Sequence, residues 1–161
     1  AVSGDAVMKQ TTLCYIERAG QYLMLHRVKK AQDANHDKWI GVGGHIEENE
    51  SPWECARRET AEETGLRLNS AAFRGVVTFV SDTWEGQQMF MFTSEDFSGE
   101  VGECDEGELR WVPIPEIFSL PLWEGDKIFL RLLFEASSAF LLKLTYRGNE
   151  LVSAELDGRS L

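Results

Sequence analysis

Short runs of alternating or continuous apolar residues dominate the chain, and only two stretches switch to a helical period. Residues 11–18 (TTLCYIER) and 21–27 (QYLMLHR), split by Ala19-Gly20, read as a β-hairpin. Residues 28–38 are polar, carry both charge signs and lack periodicity, which predicts a loop. Residues 39–46 (WIGVGGHI) form a glycine-rich extended segment, where Gly41, Gly43 and Gly44 point to bends or close backbone approach. A helix marked at both ends follows. Ser51-Pro52-Trp53-Glu54 is an S-x-x-E capping box with proline at the first helical position, and Gly65 stands where a C-terminal glycine belongs, so the helix spans 52–64. Residues 72–81 and 87–93 read as strands joined by an acidic turn, 94–107 as a loop, and 108–112 as a further strand. Pro113 and Pro115 break the chain, 125–136 shows the second helical pattern, and 140–146 with 150–156 form a terminal hairpin around Arg147-Gly148-Asn149. This order predicts an α/β fold, a mixed sheet with a helix on each side.

The length, 161 residues, fits one domain. Met8-Lys9-Gln10 reads as a natural start, which leaves 1–7 as a loose tail or added remnant and 8–161 as the single domain. Sixteen Lys and Arg against 27 Asp and Glu give a net charge of −11, which repels a nucleic-acid backbone or anionic lipid and argues against a polymer-binding or membrane-surface role. Cys14, Cys55 and Cys104 are odd in number and widely spaced, so neither a disulfide framework nor a zinc knuckle is indicated. Reduced thiols suit a cytoplasmic protein. No apolar run is long enough to span a bilayer, and residues 1–7 lack the features of a signal peptide.

The chemistry concentrates on the first helix. Glu59, Glu62 and Glu63 project within an arc of roughly 100° at 3.6 residues per turn. Such like-charge pairs cost about 0.2–0.5 kcal/mol each on an isolated helix. A solvated acidic face with Arg58 paired to Glu62 would explain the pattern, but a hard divalent cation would turn its repulsion into attraction. Gly43-Gly44 ahead of the helix can bring a bare backbone carbonyl close to such an ion, and Glu50 adds a fourth carboxylate just outside the N-cap.

Gly44, five residues, Glu50, seven residues, then Arg58-Glu59-Thr60-Ala61-Glu62-Glu63-Thr64-Gly65-Leu66 resembles the box of the Nudix hydrolases, G-x5-E-x7-R-E-U-x-E-E-x-G-U. Thr60 departs from it, standing where an aliphatic residue is usual. The resemblance implies the Nudix fold, an α/β/α sandwich with a mixed sheet. It also implies hydrolysis of a nucleoside diphosphate linked to another group, with Mg²⁺, or Mn²⁺ in its place, holding the phosphates. It assigns metal ligation to Glu59, Glu62, Glu63 and the Gly44 carbonyl, orientation of the glutamates to Arg58, and assistance through metal-bound water to Glu50. Glu50, Glu59 and Glu106 all remain open as the catalytic base.

Substrate choice lies outside the box. Residues 103–111 (ECDEGELRW) resemble an acidic loop that supplies an additional metal-site glutamate in the branch acting on oxidised purine nucleotides such as 8-oxo-dGTP, with Glu103 and Glu106 as candidates. Trp123-Glu124-Gly125-Asp126 resembles a segment that stacks on the purine and hydrogen-bonds its edge, although Trp123 also fits a plain core position. Arg27 matches a strand arginine that contacts substrate, and Gly43 belongs to the same approach. Lys29, Lys30 and Lys38 complete the nearest basic cluster. Vertebrate members carry two adjacent acids after the tryptophan and an asparagine in the glycine approach. Here Gly125 takes the first of the two acid positions and Ile40 the asparagine's, which removes a polar base contact. Cys55 reads as a packing residue, and His26, His36 and His45 show no ligand spacing. The expected partner is a small nucleotide. ADP-ribose or a dinucleoside polyphosphate is the alternative substrate, and a non-catalytic nucleotide-binding regulator the alternative role. Oligomeric state is open.

Overall fold

The computed structural model describes residues 8–29 and 33–161; the expectation about residues 1–7 lies outside them. Strands β1 (Lys9–Arg18) and β2 (Gln21–His26) form the first hairpin. Ala19 and Gly20 connect them with φ of 51° and 74°, the pair of positive values that a two-residue hairpin turn needs. There follow β3 (Trp39–Ile40), β4 (Val42–His45), α1 (Pro52–Thr64), β5 (Arg67–Ser81), β6 (Gln87–Ser98) and β7 (Glu108–Pro113). A short 3-10 helix (Ile114–Ser119), α2 (Glu124–Glu135), β8 (Phe140–Arg147), β9 (Glu150–Leu156) and β10 (Arg159–Ser160) complete the chain. The strands join in the order β10-β9-β8-β5-β6-β1-β2-β3, with β4 also on β1 and β7 also on β2. The β1–β6 and β5–β8 pairs are parallel and the others antiparallel, so the sheet is mixed.

Alternation along β1 sorts the core into two layers. Leu13 and Tyr15 face the cluster containing Phe129, Leu130 and Leu133 of α2, whereas Cys14 and Ile16 face the cluster containing Ala56 of α1. This is the expected α/β/α sandwich, and the C-terminal hairpin is present as β8–β9. Among the described residues no helix is long and apolar enough to cross a membrane.

Both ends of α1 form as their sequence signals require. Ser51 Oγ accepts from the Glu54 N–H at 3.1 Å, Glu54 Oε1 accepts from the Ser51 N–H at 3.0 Å, and Gly65, at φ 81°, donates to the Ala61 carbonyl at 3.0 Å. Elsewhere the elements outrun the sequence pattern. β5 begins at Arg67 rather than 72, because its ladder with β6 shifts register between Leu68 and Ser70, Ser70 and Ala72, and Phe73 and Gly75, which scrambles the alternation. β6 continues to Ser98 for the same reason, shortening the expected loop.

Candidate active site

The β1–β4 ladder lays the glycine approach beside α1. Gly43 pairs with Leu13 and Gly44 with Thr12. A Cβ at Gly43 would overlap the Thr12 carbonyl, and one at Gly44 would stand 2.5 Å from the Glu59 carboxyl carbon. Only glycine lets this backbone lie against that carboxylate.

Arg58 gathers the acids. Its Nε donates to Glu50 Oε2 at 2.6 Å and its Nη2 to Glu50 Oε1 at 2.9 Å. Its Nη1 donates to Glu59 Oε1 at 2.7 Å and Glu62 Oε2 at 3.3 Å, and Nη2 reaches the His45 carbonyl at 3.1 Å. This guanidinium, with the Glu47 N–H at 3.0 Å, holds the Glu50 carboxyl down at about 2. Glu50 is therefore a bound carboxylate and a weak proton acceptor. The exposures of the helix acids differ: the Glu62 side chain is 61% exposed and that of Glu59 16%.

Glu63, half-buried, stands beside Glu59 one turn on. Burial, then the neighbouring Glu106 and Glu59 charges, push its carboxyl far above the usual range, while Arg27 pulls it back. Its Oε2 is buried without a hydrogen-bond partner among the described residues. Nor do any three carboxylate, imidazole or thiol groups among those residues converge into a ready ligand set, as Glu50, Glu59 and Glu62 are turned onto Arg58. The unsatisfied oxygen of Glu63, crowded by Glu59 and Glu106, nonetheless marks an all-oxygen, like-charged donor group of the kind a hard divalent cation fits.

Of the two acidic-loop candidates, the structure brings only Glu106 to this cluster. Its Oε2 meets Arg27 Nη1 at 3.0 Å, whereas Glu103 is exposed and no contact among the described residues ties it to the other acids. Arg27 also binds Asp33 Oδ2 through Nη2 at 2.7 Å, so it bridges the acidic loop and the loop after β2. Lys29 is spent on the same junction, donating to the Cys104 carbonyl at 2.6 Å. Lys30 lies outside the described residues.

Beside the acids opens a cleft of about 320 Å³. Gly43, Gly44 and Arg27 form its rim toward α1, and Phe79, Trp84, Met89, Trp123, Asn35 and Asp126 line it. Trp123 is nearly buried, packed edge-on to Tyr146 with 5.1 Å between centroids, and its Nε1 donates to Asn35 Oδ1 at 2.8 Å. It thus has a core position and a cleft face at once. Burial pushes the Asp126 carboxyl up to about 8, with Lys38 pulling the other way. Lys38 also lies over the Trp123 ring, 5.5 Å from its centroid.

Cys55 is fully buried under the glycine approach, 3.2 Å from Thr12 Oγ1, and burial raises its thiol to about 11, in keeping with a packing role. Among the histidines, His26 stacks on Trp39 and bonds Asp37 at 2.9 Å, and His45 meets Glu85 at 3.3 Å. Sequence reasoning missed Asp33 and Asn35, which sit in an aperiodic loop. It also missed Phe79 and Met89. Their signal was available in alternation: Phe79 falls two residues after Val77 and Met89 two before Met91, both of the α2-side core.

Comparison with known proteins agrees with this architecture. The NUDIX domain family matches residues 8–133. An uncharacterised Nudix hydrolase of Bacillus subtilis, YvcI, is 28% identical over 156 residues, covering 93% of this chain and 95% of its own. An oxidised purine nucleoside triphosphate hydrolase of Danio rerio is 27% identical over 146 residues, covering 89% and 90%. The crystal structure of a MutT protein from Bacillus halodurans superposes with a TM-score of 0.83 at 26% identity, covering 93% of this chain and 98% of that one. With the domain matched over most of the chain and these likenesses running nearly end to end, the protein belongs to the Nudix family and is a MutT-like hydrolase.

Proposed function

We propose that the protein is a Mg²⁺-dependent pyrophosphohydrolase of purine nucleoside triphosphates that prefers oxidised bases, converting 8-oxo-dGTP to 8-oxo-dGMP and pyrophosphate. The observation that carries this reading is the adjacency of the acidic cluster on α1 to a cleft walled by Phe79, Trp84 and Trp123 and floored by Asp126. Such a cleft suits a flat base, since stacking on aromatic faces contributes roughly 1–3 kcal/mol per base. The zebrafish relative, named for oxidised purine nucleoside triphosphates, supports the same substrate class.

Glu59, Glu62, Glu63 and Glu106, with the Gly44 carbonyl, would hold the cation. When bound, Mg²⁺ neutralises polyphosphate charge and lowers the pKa of a water for in-line attack at phosphorus. Arg58 fixes Glu50 and Glu59 through its fork, so these carboxylates are positioned before substrate arrives. Arg27 lies between the acidic cluster and the cleft, where a guanidinium can meet a phosphate. Asp126, held neutral at pH 7 by burial, offers both an O–H donor and a C=O acceptor to the base edge.

The test is hydrolysis of dGTP and 8-oxo-dGTP in parallel, with and without Mg²⁺, comparing kcat/KM and identifying products. The expected result is a Mg²⁺-dependent preference for the oxidised base with pyrophosphate released. Equal or negligible rates on both nucleotides would overturn the substrate assignment. AMP and a sugar phosphate released from ADP-ribose would replace it.

A further inference from the structure

Asn35 lines the cleft with a side-chain amide whose orientation is fixed. It sits in the turn after β2, with its backbone N–H bonded to Asp33 Oδ1 at 3.2 Å, and that carboxyl is itself anchored by Arg27 at 2.7 Å. The Asn35 side chain meets Trp123 across 88 residues of sequence, Nε1 to Oδ1, at 2.8 Å. An indole nitrogen only donates, so the contact dictates which end of the amide is oxygen. The amide nitrogen then carries two N–H groups with no hydrogen-bond partner among the described residues, on a side chain that lines the cleft. The amide is thus held in one orientation by the indole while its N–H groups stay available to a ligand in the cleft.

The neighbouring wall makes the assignment more specific. Ile40 lines the same cleft and offers no polar atom, and Gly125 offers no side chain. Gly125 could not be replaced by an acid without displacement, because a Cβ there would stand 2.5 Å from Leu144 Cδ1 and 2.7 Å from the Tyr146 hydroxyl. Beside Asp126, polar contact with a base therefore falls to other residues of the wall, Asn35 among them. Resting on the purine substrate proposed above, we propose that Asn35 is a specificity-determining residue whose amide N–H donates to a carbonyl oxygen on the base edge, favouring guanine-type over adenine-type nucleotides. Guanine and 8-oxoguanine both present the O6 acceptor, whereas adenine places an amino donor at the same position. A fixed donor thus gains a bond with the first and faces a donor in the second.

Asn35→Asp separates recognition from support. The aspartate keeps an oxygen for the Trp123 indole but replaces the amide N–H groups with an acceptor, whereas Asn35→Ala loses both. The experiment is equilibrium titration of wild type and both variants with non-hydrolysable analogues of dGTP and dATP in Mg²⁺, while the Trp123 indole N–H resonance reports on the support bond. Wild type should prefer the dGTP analogue. Asn35→Asp should lower the dGTP/dATP affinity ratio roughly tenfold, the effect of one hydrogen bond, while keeping the indole resonance in its hydrogen-bonded position. Asn35→Ala should weaken both nucleotides and move the resonance. An unchanged ratio in Asn35→Asp, with wild type still binding the dGTP analogue, would overturn the role of Asn35 alone. Failure of wild type to bind any purine analogue, 8-oxo-dGTP included, would overturn the substrate reading and this inference with it.

Discussion

Gly125 donates its backbone N–H to the Tyr146 hydroxyl at 2.6 Å, so the C-terminal hairpin grips the first turn of α2 beside the cleft. The domain match ends at residue 133, yet β8 lies beyond it and supports the cleft through Tyr146 and Leu144. Gly125→Asp should therefore destabilise the fold by about 1–3 kcal/mol through overpacking. Tyr146→Phe, which deletes only the acceptor, should cost about 1 kcal/mol. Urea unfolding of both variants checks this, and a Gly125→Asp protein as stable as wild type would show that the α2 start can shift to make room.

Thr60 replaces the usual aliphatic residue of the box, and its position carries an energetic cost. The side chain is fully buried, and Oγ1 has no hydrogen-bond partner among the described residues. Thr60→Val removes that hydroxyl at nearly constant shape, so it should stabilise the protein by about 1 kcal/mol and leave kcat unchanged. Thermal unfolding and steady-state kinetics on one preparation decide it; a lowered Tm would mean that an internal water satisfies the hydroxyl.

Arg58 makes five hydrogen bonds to Glu50, Glu59, Glu62 and the His45 carbonyl. Lysine keeps the charge but loses the planar fork, so it cannot span Glu50 and Glu59 together. Arg58→Lys should lower kcat roughly 100-fold, the size of effect that follows misplacement by about 1 Å, with KM little changed. Circular dichroism should show the fold intact. A kcat within a few-fold of wild type would show that Glu59 is positioned by Gly44 and α1 alone.

The parts of the fold governed by local rules were legible in the sequence. The capping box, Pro52 and Gly65 set the bounds of α1 to the residue, and Ala19-Gly20 set the first hairpin. Box spacing pointed to the acidic cluster because a helix converts sequence intervals into directions. The early start of β5 was hidden by its register shifts, which are a property of two strands together. Asp33 and Asn35 were hidden for a related reason: their partners, Arg27 and Trp123, come from a strand end and the residue capping α2, and nothing in an aperiodic loop announces such contacts. The split between Glu103 and Glu106 likewise depends on which one the turn before β7 presents to Arg27.

Asp126 gives a pH signature with a definite sign. Burial holds its carboxyl up to about 8, from an ordinary value of 3.8, and Lys38 only partly offsets this. Between these values the folded protein keeps a proton that the unfolded chain has released. Stability at this site therefore falls as pH rises through the window and levels off above about 8. Asp126→Asn has no proton to lose, so its stability relative to wild type should increase from pH 4 to pH 8 and then stay flat. The total gain should be of order a few kcal/mol, since each tenfold difference in proton affinity between the folded and unfolded chain is worth about 1.4 kcal/mol. Urea unfolding of both proteins at pH 5, 6.5 and 8 isolates the site, because other titrating groups cancel in the difference. A difference independent of pH would mean that Asp126 ionises as it would in water, and that the carboxyl meets the base as an anion rather than as a neutral acid.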